Sequence, residues 1–171
     1  GQVLGCRETT FGFRTAEFKA DGFYLNGKKT FLRGLNRHQS YPYIGYAAPE
    51  SLQRNDARIL KNELHCNAVR TSHYPQSQHF LDECDKLGLL VFTELPGWQH
   101  IGDAAWKDRA CEMLREMILQ NRSHPSIILW GVRINESVDD DEFYNRTNKI
   151  AHELDPSRAT SGVRYLEKAI C

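Results

Sequence analysis

Short apolar runs alternate with longer amphipathic stretches from about residue 30 onward, and this alternation limits the fold more than any other feature of the sequence. The spacing predicts strands at Thr30–Leu35 (TFLRGL), Asn67–Arg70, Leu89–Thr93 (LLVFT) and Ser126–Trp130 (SIILW), with the start of a fifth at 159–162. Between them it predicts four helices. The first is 49–64, with Pro49 suited to a first turn and Leu52, Ile59, Leu60 and Leu64 at helical spacing. The second is 77–87, burying Phe80, Leu81, Cys84 and Leu87 and stopped by Gly88. The third, 105–121, carries a stripe of Trp106, Ala110, Met113, Leu114, Met117 and Ile118. The fourth, 140–154, turns Phe143, Thr147, Ile150 and Leu154 inward. LLVFT and SIILW lack polar alternation and so read as strands buried on both faces. Such strands, joined by helices, imply a parallel sheet with right-handed crossovers.

Two α/β architectures satisfy that pattern, a doubly wound sheet and a (β/α)8 barrel. No glycine-rich phosphate turn follows the first strand, which weakens the nucleotide-binding version. Polar groups gather instead just past several strands: Asn36-Arg37-His38, Ser72-His73-Tyr74, Glu94, and Asn135-Glu136. In a barrel these strand ends share one face, where active sites lie. A complete barrel takes roughly 250 residues. At 171 residues, the expectation is therefore a partial (β/α)8 TIM barrel of about four βα units plus the start of a fifth strand. Residues 1–18 fall outside the pattern and read as the tail of a preceding β domain or a linker, leaving 19–171 as the half-barrel. Within it, DGFYLNGKK (21–29) reads as a hairpin turning at Asn26-Gly27, placed to cover the barrel bottom or to make a domain junction.

Composition narrows the class of partner. Lys plus Arg and Asp plus Glu number 22 each, a balance that argues against nucleic acid and against a membrane surface. No apolar run is long enough to span a bilayer. Cys6, Cys66, Cys84, Cys111 and Cys171 are odd in number and form no CxxC pair, so they read as free thiols rather than zinc ligands or a redox couple. The opening GQVLGCRETT lacks the basic-then-apolar order of a secretion signal. Together these favour a cytoplasmic chain, with a secreted or periplasmic parent left open.

Several side chains at the strand ends suit catalysis, and each has a plainer alternative. Glu136 follows a buried strand, where partial burial would raise its pKa and make it a proton donor. It equally suits the first turn of the helix that begins near Asp140. His38 and His73 stand at equivalent strand ends, fit to hydrogen-bond sugar hydroxyls; the absence of HxH and HExxH patterns speaks against a metal. Arg70 is placed to hold a carboxylate by a bidentate bond, or to make a surface ion pair. Glu94 would touch substrate or a cation, or pair with an arginine. Trp98, Trp106 and Trp130 offer stacking faces, Trp106 more as helix core and Trp130 as either.

The strings GLNRHQ (34–39), NAVRTSHYP (67–75), LDECDKLGLLVFTELPG (81–97) and NRSHPSIILWG…NES (121–137) resemble, in order and spacing, the catalytic barrel of glycoside hydrolase family 2, which includes β-galactosidases, β-glucuronidases and β-mannosidases. FGFRTAEF and FYLNGKKTFLRG resemble that family's passage from an immunoglobulin-like sandwich into its barrel. The resemblance implies that Glu136 is the general acid/base and Asn135 the residue bonded to the sugar 2-hydroxyl. It implies that Arg70 orients the nucleophile, that His38 and His73 bind substrate, and that Glu94 is an active-site acid. The nucleophile would lie on a seventh strand, outside these residues. WGVRINES carries about one residue more than the family usually has before Asn-Glu, and Gln39 stands where the family often has an acid. NRH is closer to the galactosidase branch. The implied activity is retaining hydrolysis of terminal β-glycosides, foremost β-galactosides, with carbohydrate as the partner and no cofactor or indicated cation. The alternative is an inactive half-barrel with at most weak sugar binding. In either case the exposed half-barrel surfaces imply self-association.

Overall fold

The computed structural model describes residues 4–6 and 8–165; Cys171 lies outside the described residues. Two sheets organise the chain. Strands β1 (Ala16–Lys19), β2 (Gly22–Leu25) and β3 (Lys28–Lys29) form a small antiparallel sheet. It turns at Asn26-Gly27, both at positive φ, as a tight hairpin requires. Strands β4 (Gly34–Arg37), β5 (Ala68–Thr71), β6 (Leu90–Glu94), β7 (Ile127–Gly131) and β8 (Ala159–Ser161) follow as an all-parallel sheet in chain order. Helices α1 (Glu50–Arg58), α2 (Gln78–Leu87), α3 (Ala104–Asn121) and α4 (Asp141–Leu154) connect them, giving four βα units and a fifth strand of a partial TIM barrel.

Three helix starts are capped by short polar side chains. Ser77 Oγ accepts from His79 N–H, Asp103 Oδ1 from Trp106 N–H at 2.9 Å, and Asp140 Oδ1 from Phe143 N–H at 3.0 Å. Gly88 ends α2 at φ 62°, the left-handed turn that glycine adopts without penalty.

Two elements differ from their sequence expectation. The first barrel strand begins at Gly34 rather than Thr30. Residues 30–33 are held between the two sheets: the amide of Thr30 bonds Phe23 O, and that of Arg33 bonds the Asn67 side chain. The ladder with β5 opens at Gly34, with Arg33 O accepting from Ala68 N–H at 3.1 Å, and a Cβ at Gly34 would collide with the carbonyl of Ala68. The first helix ends differently as well. Pro49 is its cap, and Ile59–Glu63 continue it as a π turn in which Leu64 N–H reaches Ile59 O. The extra residue in that turn leaves Leu64 54% exposed, while Leu60 stays buried.

The main core lies between the sheet and the helices, where Val69, Val91, Ile127 and Trp130 meet Phe80, Leu81, Leu114, Ile118, Phe143 and Ile150. A second, smaller cluster lies on the barrel's inner side: Phe23 of β2 packs on Leu90 and Ile128 near the strand starts, flanked by Leu25, Leu32, Ala68 and Leu129. The small sheet thus covers the N-terminal end of the half-barrel and leaves the opposite end to the polar residues.

Candidate active site

Seven of the side chains singled out from the sequence, His38, Arg70, His73, Glu94, Trp98, Asn135 and Glu136, lie at the C-terminal end of the parallel sheet. Arg70, near the end of β5, faces inward and forms a fork with Glu94, the last residue of β6: Nε to Oε2 at 3.1 Å and Nη2 to Oε2 at 2.8 Å. The same Nη2 donates to Asn135 Oδ1 at 2.6 Å. Glu94 is 1% exposed, so its charge is compensated inside the protein rather than by water. Within these residues the carboxylate that Arg70 holds is that of Glu94.

His73 completes the group. Its Nδ1 lies 2.8 Å from Glu94 Oε1. A carboxylate accepts, so the ring donates from Nδ1 and leaves Nε2 free to accept; Asn135 Nδ2 stands 3.5 Å from it. The nearby Arg70 Nη2 then faces a donor and makes no hydrogen bond to Nδ1. His38 is exposed and edges onto His73 with ring centroids 5.3 Å apart. Tyr74 joins them: its hydroxyl accepts from Gln39 N–H at 3.2 Å and lies 3.4 Å from His38 Nδ1.

The loops after β6 and β7 run side by side. Trp98 and Asn135 form a parallel bridge, with Gln99 N–H donating to Asn135 O at 2.8 Å, and Glu136 N–H donates to Val163 O beyond β8 at 2.9 Å. Val132-Arg133-Ile134 form the loop that leads to Asn135-Glu136: Ile134 is fully buried, and Arg133 stacks over Tyr144 at 4.4 Å. Asn135 is consequently buried and Glu136 half-buried. Trp98 Nε1 donates to Glu136 Oε2 at 3.0 Å and Gln99 Nε2 to the same oxygen at 3.3 Å. These two bonds, Trp98 foremost, hold the Glu136 carboxyl below the usual glutamate range. Burial pushes it up, as its place after a buried strand leads one to expect, but the Trp98 and Gln99 donors outweigh burial and the net direction is down.

Trp106 and Trp130 lie elsewhere. Trp130 is fully buried, its indole donating to Asp155 Oδ2 at 3.0 Å beneath the Arg158 guanidinium. Trp106 packs edge-on to Phe143 in the helix layer. Neither offers a face to a sugar.

Arg37 and Gln99 were not singled out from the sequence. Arg37, the middle of NRH, is buried and bonds Asp56, Gln76 and Gln53 while stacking on Phe80 at 4.1 Å, so it anchors the strand end that carries His38. Its place inside that triplet was the available signal. Gln99 sits in a loop with no periodicity, and its role depends on contacts with a residue 37 positions away.

Among the described residues, Asp82, Asp85 and His124 form the one group with metal-ligand spacing. Its atoms are occupied: His124 Nδ1 meets Asp85 Oδ2 at 2.6 Å, His124 Nε2 meets Gln78 Oε1 at 3.0 Å, and Asp85 Oδ1 accepts from Ser126 N–H. The group ties α2 to the start of β7, at the end of the sheet away from Glu136.

Comparison with known proteins places the chain among carbohydrate-active barrels. Residues 16–171 match the family described as "Glycosyl hydrolases family 2, TIM barrel domain". A β-galactosidase of Thermoanaerobacterium thermosulfurigenes is 69% identical over 159 residues, covering 93% of this chain and 22% of that protein. A β-galactosidase of Thermoanaerobacter pseudethanolicus is 64% identical over 156 residues, 91% of this chain and 21% of that protein. The solved β-glucuronidase of Parabacteroides merdae superposes with a TM-score of 0.80 at 38% identity, over 88% of this chain and 21% of that one. The chain therefore spans about a fifth of the length of the relatives it matches.

Proposed function

The chain belongs to glycosyl hydrolases family 2 through that family's TIM barrel domain, and on that footing we propose that it supplies the acid/base side of a retaining β-glycosidase active site. The observation that carries the reading is the contiguous group Arg70–Glu94–His73–Asn135 with Glu136 next to it, at the end of the sheet where barrel enzymes act. In this reading Asn135, locked by Arg70, presents its amide to the sugar 2-hydroxyl. His38, His73 and Glu94 shape the sugar-binding floor, and Glu136 protonates the departing oxygen and later deprotonates water. The nucleophile is a second carboxylate from a later part of a longer enzyme, and no cofactor is needed.

The low pKa direction of Glu136 fits this division. An isolated carboxylate held by N–H donors is a base. A second carboxylate roughly 5–5.5 Å away, as retaining enzymes require, would raise its pKa by like-charge repulsion and so make it an acid. The substrate we favour is a terminal β-galactoside, supported by the two β-galactosidase relatives; the β-glucuronidase superposition makes β-glucuronide the competing substrate. Residues 1–18 would be the tail of a preceding β-sandwich or linker; Arg14 within them donates to Pro125 O and Ile127 O, tying that lead-in to the barrel.

The test is Glu136→Gln in the complete enzyme, assayed on nitrophenyl β-galactoside and β-glucuronide and on substrates with poor leaving groups. Poor leaving groups should lose about 10²–10⁴-fold and activated aryl glycosides less in their first step, with azide restoring turnover. Equal loss on all substrates and no azide effect would refute the assignment.

A further inference from the structure

Building on the acid/base reading of Glu136, we propose that Trp98 and Gln99 form a two-donor clamp on its carboxylate, positioning residues that occupy Oε2 and leave Oε1 as the oxygen that exchanges the proton. Both N–H groups converge on Oε2, at 3.0 Å and 3.3 Å. Neither an indole nor an amide N–H accepts, so a proton arriving at Oε2 would face two donors. It goes to Oε1 instead. The clamp thereby chooses which carboxyl oxygen faces the glycosidic oxygen.

The backbone supports a built device. Gln99 (φ 60°) and Glu136 (φ 51°) both sit in the left-handed region that non-glycine residues avoid. The parallel bridge at Trp98 and Asn135, and the bond from Glu136 N–H to Val163 O, hold them there. Strain maintained at both ends of one contact is what a positioned functional group requires. Glu136 is faced by Trp98 and Gln99 from the loop after β6, by the neighbouring Asn135 side chain and by His73 from the loop after β5, the one of these that can carry charge; the compensated Arg70–Glu94 pair lies behind Asn135. Trp98 is 62% exposed, so its ring face stays open while its edge is engaged. The sequence offers Trp98 as a stacking face; in this proposal its N–H carries the role.

Two experiments separate the clamp from stacking and from the acid/base reading itself. In the ¹⁵N-labelled chain, the Trp98 indole resonance should shift with pH along the Glu136 titration, and Glu136→Gln should abolish that shift. In Trp98→Phe and in Gln99→Ala, the ¹³C-detected Glu136 carboxyl should titrate at higher pH than in the parent chain. In the complete enzyme, Trp98→Phe keeps an aromatic face but deletes the donor. It should move the basic limb of kcat/KM to higher pH and lower kcat more than it raises KM, and Trp98→His, which keeps a ring N–H, should recover part of the loss. A stacking role predicts the opposite: an unmoved basic limb and near-parental kinetics for Trp98→Phe. Azide rescue of Glu136→Gln without an indole titration overturns the clamp and keeps the acid/base reading. An indole titration without azide rescue overturns the acid/base reading and with it the catalytic role of the clamp.

Discussion

Arg70 and Glu94 carry opposite charges on neighbouring strands, and burial makes each depend on the other. Removing the cation leaves a carboxylate that is 1% exposed with only His73 beside it. Breaking such a pair costs about 3–5 kcal/mol, more than its formation gains. Arg70→Met should therefore lower the unfolding free energy obtained from urea denaturation by an amount of that order, whereas Arg54→Met, in a partly exposed ion-pair network on α1, should cost about 1 kcal/mol or less. Asp155 is the second such residue. Burial pushes its carboxyl up, but Ser157, Arg158 and Trp130 outweigh burial and hold it below the usual aspartate range. A depressed native pKa gives stability that is present above the unfolded value and is lost as pH falls through the native one. Urea midpoints measured from about pH 7 down to pH 3 should fall in the parent chain and fall less steeply in Asp155→Asn, which starts from a lower neutral value.

At the scale of elements, the positions that set the site are where strands and helices begin and end. Asp140 caps α4 and also pairs with Lys107 of α3 at 2.5 Å, so it fixes both helices behind the β7 loop. Asp140→Ala should cost about 1 kcal/mol in chemical denaturation through the cap alone. Gly131 ends β7 opposite Glu94, and a Cβ there would run into the Cα and Cβ of Glu94. Gly131→Ala should therefore displace Glu94 and broaden or shift the Arg70 and His73 side-chain resonances, while the amide spectra of α2 and α3 stay near those of the parent.

For the molecule as a whole, the inner face of the five-stranded sheet is its open question of burial. The small sheet covers Leu90 and Ile128, but Phe92 and Leu129 are only half-buried. They line an apolar hollow of about 230 Å³. β4 and β8 are the two edges of that sheet. An apolar face between unpaired edges favours pairing with another chain. At tens of micromolar, size exclusion with light scattering should show association of the chain on its own. A clean monomer with little dye binding would show that the hollow is shielded. On the proposed acid/base reading, in which Glu136 moves the proton and a later carboxylate is the nucleophile, the same chain should show no turnover of nitrophenyl β-glycosides.

Much of this was legible in the order of residues. The apolar runs LLVFT and SIILW, the helical stripes, Gly88 and Asn26-Gly27 fix local conformation through short-range sterics and hydrophobic period, and these terms act within a few residues. The polar residues after each strand pointed to one face because parallel strands all end on the same side. Other features depended on contacts between distant segments. Gly34 rather than Thr30 opens the barrel because Asn67 captures the amide before it. Within these residues the fork of Arg70 holds Glu94, 24 positions along the chain. Trp130, open to either reading by pattern, is enclosed by Asp155 and Arg158. Glu136 is held low in pKa, not high, because Trp98 and Gln99, 38 and 37 positions away, aim two N–H groups at one oxygen. The sequence alone determined which segments become strands and helices and which end of the sheet is polar, because those follow from local geometry and periodicity. Only the tertiary structure decided which donor meets which acceptor, because hydrogen bonds and charge effects act over a few ångströms of space, whatever the separation along the chain.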